Sequence, residues 1–294
     1  MISSHSGLVL LNKPSGITSF KVLNGLKKKL NSGKVGHTGT LDKFAEGLML
    51  VLTGKMTKLA PFFSNMDKEY IATYKFGEET ETLDPEGKVI AVSDIPDLEK
   101  IEKNIPYFTG KIMQQPPDFS AIHINGQRAY KIAAAGKKPD IPKRQVTIYS
   151  YKILKWSSPF LTVKVKCSKG TYIRSLARDL GLACNSRAYV SELLRTEVGD
   201  WNVINSVLVE NFDPDKNIIY GKSLFDLISS IDIFDVNKDQ AARILNGIPI
   251  TGWIDNKESI PLGVSAIFYK NDFLALIEQS EGKIKYKFVQ DRNS

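Results

Sequence analysis

Short apolar runs and strict alternations, interrupted by two amphipathic helical patterns, make up the chain. "GLVLLN" (residues 7–12) is a compact apolar run that predicts a strand, closed by the turn-forming "KPSGITS". In "SFKVLNGLKKKLN", Phe20, Val22, Leu23, Leu26 and Leu30 recur at helical spacing behind Ser19 as the expected N-cap, with the lysines mostly on the other side. "GLMLVLTGKMTKLAPFF", punctuated by Gly54, is apolar enough to be buried. "EYIATYKF" alternates so that Tyr70, Ala72, Tyr74 and Phe76 share one face of a strand, and "LTVKVKC" sets Leu161, Val163, Val165 and Cys167 against Thr162, Lys164 and Lys166. "SKGTYIRSLARDLG" then turns into a helix capped by Thr171, with Ile173, Leu176, Ala177 and Leu180 as its apolar stripe and Gly181 near its end.

Helices and strands are mixed without a regular βα alternation, so the expected class is α+β with a largely antiparallel mixed sheet flanked by helices. "SAIFYK", "FLALIE" and "IKYKFV" predict a small β-rich module at the C-terminus. The charge balance changes at the same place. From Ser230 onward eight Lys and Arg face nine Asp and Glu, so the first 229 residues carry about +9 against an overall net charge of +8.

The apolar share of 42% and charged share of 24% suit a globular protein long enough to bury a full core. No stretch reaches the roughly 18–20 apolar residues of a membrane span, and the short apolar run near the start lacks a basic head, so the expected location is the cytoplasm. Two cysteines and three histidines are too few and too scattered for a disulfide framework or a structural zinc site. Neither a phosphate-cradling glycine loop nor a dinucleotide fingerprint occurs, which leaves cofactor chemistry unsupported, and nothing demands more than a monomer.

The basic excess favours an anionic partner. Lys13, Lys21, Lys27, Lys28, Lys29 and Lys34 precede the first acidic residue, Asp42, which sits in "GHTGTLDKFAEG". Asp42 reads either as the N-cap of a short helix starting near Lys43 or as a nucleophile in a loop that lets a ligand approach the backbone. In the latter case the surrounding cations are expected to keep it ionised well below neutral pH. His37 reads as a structural histidine or as a ring that stacks on a base; as a metal ligand it would have only His5 and His123 to call on. Residues 114–144 interleave Arg128, Lys131, Lys137, Lys138, Lys143 and Arg144 with Phe119, His123 and Tyr130. Cations for phosphates and rings for stacking suit a looped-out RNA strand; a solvated helical hairpin would explain the charge alone.

"KVGHTGTLDKFAEGLMLVLTGKMTKL" resembles the signature of the bacterial tRNA pseudouridine-55 synthases of the TruB type. "LLNKPSGITS", "KEYIATYKFGEETETLDPEG", "QQPPDFSAIHINGQRAYKIAAAGK" and "CSKGTYIRSLARDLG" match further segments in the same order, over roughly residues 7–200. The resemblance implies a cofactor-free and metal-free isomerisation of uridine in the T loop of tRNA, reached by flipping the nucleotide out. It implies Asp42 as nucleophile, Tyr70 against the target base as candidate proton acceptor, and Arg174 paired with Asp42. It further implies His37 stacking beside the flipped nucleotide and Tyr172 and Leu193 lining the pocket. Lys13 and Lys58 fall on basic positions near it; Gly39, Thr40, Arg128 and Tyr130 are further expected substrate contacts. The implied organisation is a catalytic domain over 1–229, with an RNA-gripping insertion at about 111–147, and a PUA-like RNA-binding module over 230–294. The chain departs from the family pattern at Asn12, Phe20, Lys43 and Glu46. Other readings are a non-catalytic RNA-binding or RNA-folding protein and a synthase acting on another RNA.

Overall fold

The computed structural model describes residues 6–31, 33–226, 228, 230–250, 260–280 and 283–290. Its centre is a ten-stranded sheet. Along its main path the strands run Ile218–Ile219, Leu8–Lys13, Glu46–Thr53, Ala188–Val198, Lys68–Phe76, Phe160–Cys167, Arg144–Ser157 and Gly110–Gln114. Neighbours on that path are antiparallel except Glu46–Thr53 and Ala188–Val198, which are parallel.

The two unbroken apolar runs are strands buried on both faces, which is why they show no alternation. Leu8, Leu10, Leu48, Leu50 and Leu52 point to one side of the sheet and Val9, Leu11, Met49 and Val51 to the other. On the second side the helices Ser19–Leu30 and Ile173–Ala183 close the core through Val22, Leu26, Leu176 and Leu180. On the first side lies the C-terminal β-module, a four-stranded sheet of Ile231–Asp235, Gly263–Tyr269, Asp272–Ser280 and Lys283–Val289. Phe225, Phe268, Phe273 and Phe288 join it to the leucines of the main sheet in one apolar cluster, the Phe225 and Phe273 rings stacking with centroids 4.8 Å apart.

Four local expectations are corrected. The first helix is capped by Thr18, whose hydroxyl accepts from the Lys21 N–H. Ser19 is thereby free to donate to the Leu41 carbonyl at 2.9 Å and accept from the Leu41 N–H at 3.0 Å, tying the helix to the residue before Asp42. Thr171 does not cap the later helix: its hydroxyl donates to the Ser168 carbonyl, and Tyr172 occupies the cap position. No helix starts at Lys43, so Asp42 caps nothing; it lies in the loop between Val35–His37 and Glu46–Thr53. Residues 114–144 form no helical hairpin either, but a loop with the two-residue strands His123–Ile124 and Gln127–Arg128 and the helix Ala129–Ala134. Among the described residues no helix is long and apolar enough to cross a membrane.

Cys167 and Cys184 are both free and buried. Burial pushes the Cys167 thiol up to about 12, so it packs as a small apolar side chain and not as a nucleophile.

Candidate active site

The Asp42 loop, the Lys68–Phe76 strand and the start of the Ile173–Ala183 helix converge on a cavity of about 580 Å³. Asp42, Tyr70 and Arg174, far apart in the chain, share its wall. Arg174 Nε lies 2.9 Å from Asp42 Oδ2, and Nη2 donates to Oδ1 at 3.3 Å. The guanidinium is almost entirely buried while the Asp42 side chain is 38% exposed. One partner is therefore fixed in protein and the other offered to the cavity.

What fixes Arg174 is a set of acceptors on separate segments. Nη1 donates to the Thr82 carbonyl at 2.8 Å and to Asp84 Oδ2 at 3.1 Å, and Nη2 to the Phe119 carbonyl at 3.0 Å. Asp84 is itself buried and held: its Oδ1 accepts from the Thr82 hydroxyl and from the Glu86 N–H. Arg174 thus meets two carboxylates and two carbonyls with a planar donor fork, a geometry no lysine reproduces.

The electrostatics of Asp42 differ from those its basic sequence surroundings predict. Desolvation pushes its pKa above the ordinary carboxylate range, with Asp84 and Glu86 adding to the push and Arg174 and Lys13 opposing it. Burial outweighs the cations that the sequence makes conspicuous. Burial likewise pushes the Tyr70 phenol up to about 12, against the lowering effect of Arg195.

Gly39, Thr40, Tyr130, Tyr172 and Leu193 also line the cavity. Tyr172 is held on both sides. The buried Gln114 amide accepts from its N–H at 2.8 Å and donates to its carbonyl at 3.0 Å, and the Arg144 guanidinium stacks 4.7 Å from its ring centroid.

Four expected contacts lie outside this wall. Lys13 is fully buried, its ammonium donating to the carbonyls of Pro14, Ile17 and Lys43; it ties down the Asp42 loop from behind the cavity wall, and burial lowers its pKa to about 8. Lys58 lies over the Phe288 ring at 4.6 Å, bridging the main sheet to the C-terminal module. Arg128 is exposed and donates to the Ala121 carbonyl beside the cavity rim. His37 is half-buried, its Nδ1 without a hydrogen-bond partner among the described residues, and burial together with Arg195 lowers its pKa, so the ring is neutral near pH 7. His5 lies outside the described residues, and among those described no cluster of His, Cys, Asp and Glu could hold a metal.

Asp84, Gln114 and Arg195 are site residues that sequence reasoning missed. Asp84 sits inside the "ETETLDPEG" segment, but nothing local distinguishes it from the acids beside it.

Comparison with known proteins gives the family and the fold. Residues 27–173 match the model described as TruB family pseudouridylate synthase (N terminal domain). The chain is 42% identical over 288 residues to a tRNA pseudouridine synthase B of Borreliella burgdorferi, covering 97% of this chain and 99% of that protein. It is 36% identical over 294 residues to the tRNA pseudouridine synthase B of Francisella philomiragia, covering 98% and 96%. Among solved structures, a chain of a Cbf5-Nop10-Gar1 complex superposes with a TM-score of 0.72 at 23% identity, over 99% of this chain and 87% of that one, a likeness of fold.

Proposed function

The chain belongs to the TruB family of pseudouridylate synthases, and from that premise we propose that it isomerises the uridine at position 55, in the T loop of tRNA, with Asp42 as the nucleophile. The reaction breaks the bond between uracil N1 and ribose C1′, turns the base, and joins C5 to C1′; N1 gains a proton and C5 loses one, so nothing is consumed. A uridine inside a folded loop is out of reach of a side chain, and flipping it out costs a few kcal/mol, which phosphate contacts to a basic surface offset.

The observation that carries this reading is the Asp42–Arg174 pair: a half-buried carboxylate on the wall of a cavity of suitable size, oriented by a buried guanidinium whose two terminal nitrogens are anchored by hydrogen bonds. Asp42 acts by adding to C6 of uracil, by adding to C1′, or by taking a ribose proton in an elimination; each route needs the ionised carboxylate in this position. Tyr70 packs against the base, Tyr172 and Leu193 bound it, Gly39 and Thr40 let the backbone approach it, and His37 stacks in the loop beside it. Arg128 and Tyr130 grip the strand leading in. Residues 230–294 act as a PUA-like RNA-binding module on the catalytic part formed by 1–229, and tRNA through its T arm is the partner.

The test is to incubate the protein with unmodified tRNA and map pseudouridine, with Asp42→Asn alongside. Modification at position 55 by the wild type alone is expected. Product from Asp42→Asn at the wild-type rate removes the nucleophile assignment, and tRNA binding without product from either protein indicates a non-catalytic RNA-binding protein instead.

A further inference from the structure

Arg195, in the Ala188–Val198 strand, is 3% exposed and has no carboxylate partner among the described residues. A buried unpaired cation is costly, and a long apolar side chain would fill the same volume without that cost. The contacts explain its presence. Nε donates to the Leu48 carbonyl at 2.7 Å and Nη2 to the Gly39 carbonyl at 3.1 Å, one acceptor after Asp42 in the chain and one before it. Its strand brings it to both neighbours at once: in register Arg195 stands opposite Tyr70 on the antiparallel side and opposite Gly47 on the parallel side. Directly opposed residues on one sheet face are side-chain neighbours, and Arg195 and Tyr70 line the same cavity.

Gly47 shows how close that approach is. Its φ is +106°, and a Cβ there would lie 2.4 Å from the Arg195 carbonyl oxygen and 2.8 Å from its nitrogen. The Asp42 loop therefore leaves the cavity over the Arg195 backbone and is gripped by the Arg195 side chain.

Resting on the reading of Asp42 and Tyr70 given above, we infer that Arg195 is a positioning residue that braces both ends of the Asp42 loop and locks it to Tyr70, so that the nucleophile and the ring that packs on the base keep one fixed separation. A single planar group with five donors can serve three segments; an ammonium cannot span them.

The test compares Arg195→Met and Arg195→Lys with the wild type in two measurements. In the first, amide hydrogen exchange in peptides covering residues 38–48 rises by about tenfold in both variants, while the Ile173–Ala183 helix keeps its protection. In the second, the single-turnover rate on unmodified tRNA falls by roughly 10²-fold, the loss expected for a misplacement of about 1 Å, while Kd stays within about threefold. Lysine, which keeps the charge and the stem, is expected not to restore the rate. Unchanged exchange over 38–48, or a full rate in Arg195→Lys, overturns the inference. A wild type that makes no pseudouridine counts against the proposed function, and the exchange measurement then still decides whether Arg195 braces the loop. Should Arg195→Met not fold, Arg195→Lys carries both readouts.

Discussion

Burial raises the pKa of Asp42 and of Tyr70 alike, but the two side chains need opposite protonation states. At a pKa of about 12 only on the order of one Tyr70 phenol in 10⁵ is ionised at pH 7, so the ring on the cavity wall is neutral, as packing on a base in the proposed reaction requires. As the proposed nucleophile, Asp42 works only when ionised. Its contribution is present above its pKa and lost as pH falls through it, and because that pKa is raised, the loss begins at a higher pH than for a free carboxylate. Asp84→Asn removes a like charge that raises Asp42 and leaves Arg174 more fully committed to Asp42. Both effects lower the Asp42 pKa, so the acid limb of the single-turnover pH profile is expected to move to lower pH. The plateau falls as well, since Arg174 loses one of its anchors. A limb that moves to higher pH, or stays, contradicts this electrostatic account. Asp42 and Arg174 are legible in the sequence through the family motifs. The arrangement around them is not: Arg174 meets Asp84 across 90 positions and Asp42 across 132, separations that no periodicity encodes.

At the scale of elements, pattern served well wherever burial was one-sided. The alternations around Tyr70 and Val163 are strands with the expected faces inward, and the three apolar pieces after residue 260 are strands of one sheet. It failed at caps: Ser19 and Thr171 have the right chemistry, but the Ser19 hydroxyl is taken by Leu41, a partner set by tertiary packing, and the Thr171 hydroxyl by Ser168 in the turn just before the helix. The join between Glu46–Thr53 and Ala188–Val198, the one parallel pairing on the main path, is equally invisible in sequence. Its weak point is Gly47. Gly47→Ala demands both a left-handed φ for a side chain and room that the Arg195 backbone occupies. The strain alone costs about 1–3 kcal/mol, and at roughly 2–4 °C per kcal/mol for a chain of this order thermal unfolding is expected several degrees lower. Turnover should fall further than stability does, because the strand that shifts carries Arg195. A Tm within a degree of the wild type would mean that the two strands separate without cost.

At the scale of the whole molecule, the basic excess divides into cations that build the protein and cations left exposed to meet an anionic partner in the proposed reading, a division that composition conceals. Lys13 and Lys68 spend their ammonium groups on backbone carbonyls, and burial lowers both to about 8. Lys58 sits on the Phe288 ring, where a cation–π contact of about 0.5–1 kcal/mol helps hold the C-terminal module to the main sheet. Arg128 instead lies exposed on the hairpin beside the cavity. Neutralising a phosphate releases counterions, so the slope of log K against log salt becomes shallower by about 0.7–0.9 for each phosphate the protein no longer neutralises. Measured as Kd for unmodified tRNA across a salt series, Arg128→Gln is expected to flatten the slope by about that amount. Lys58→Gln should leave the slope unchanged and lower the Tm instead. Asp42→Asn serves as the reference, since it alters the chemistry without removing a cation. If Lys58→Gln flattened the slope as Arg128→Gln does, the path of the RNA would have to run over the seam between the two sheets, and the ammonium would have to leave the Phe288 ring to follow it.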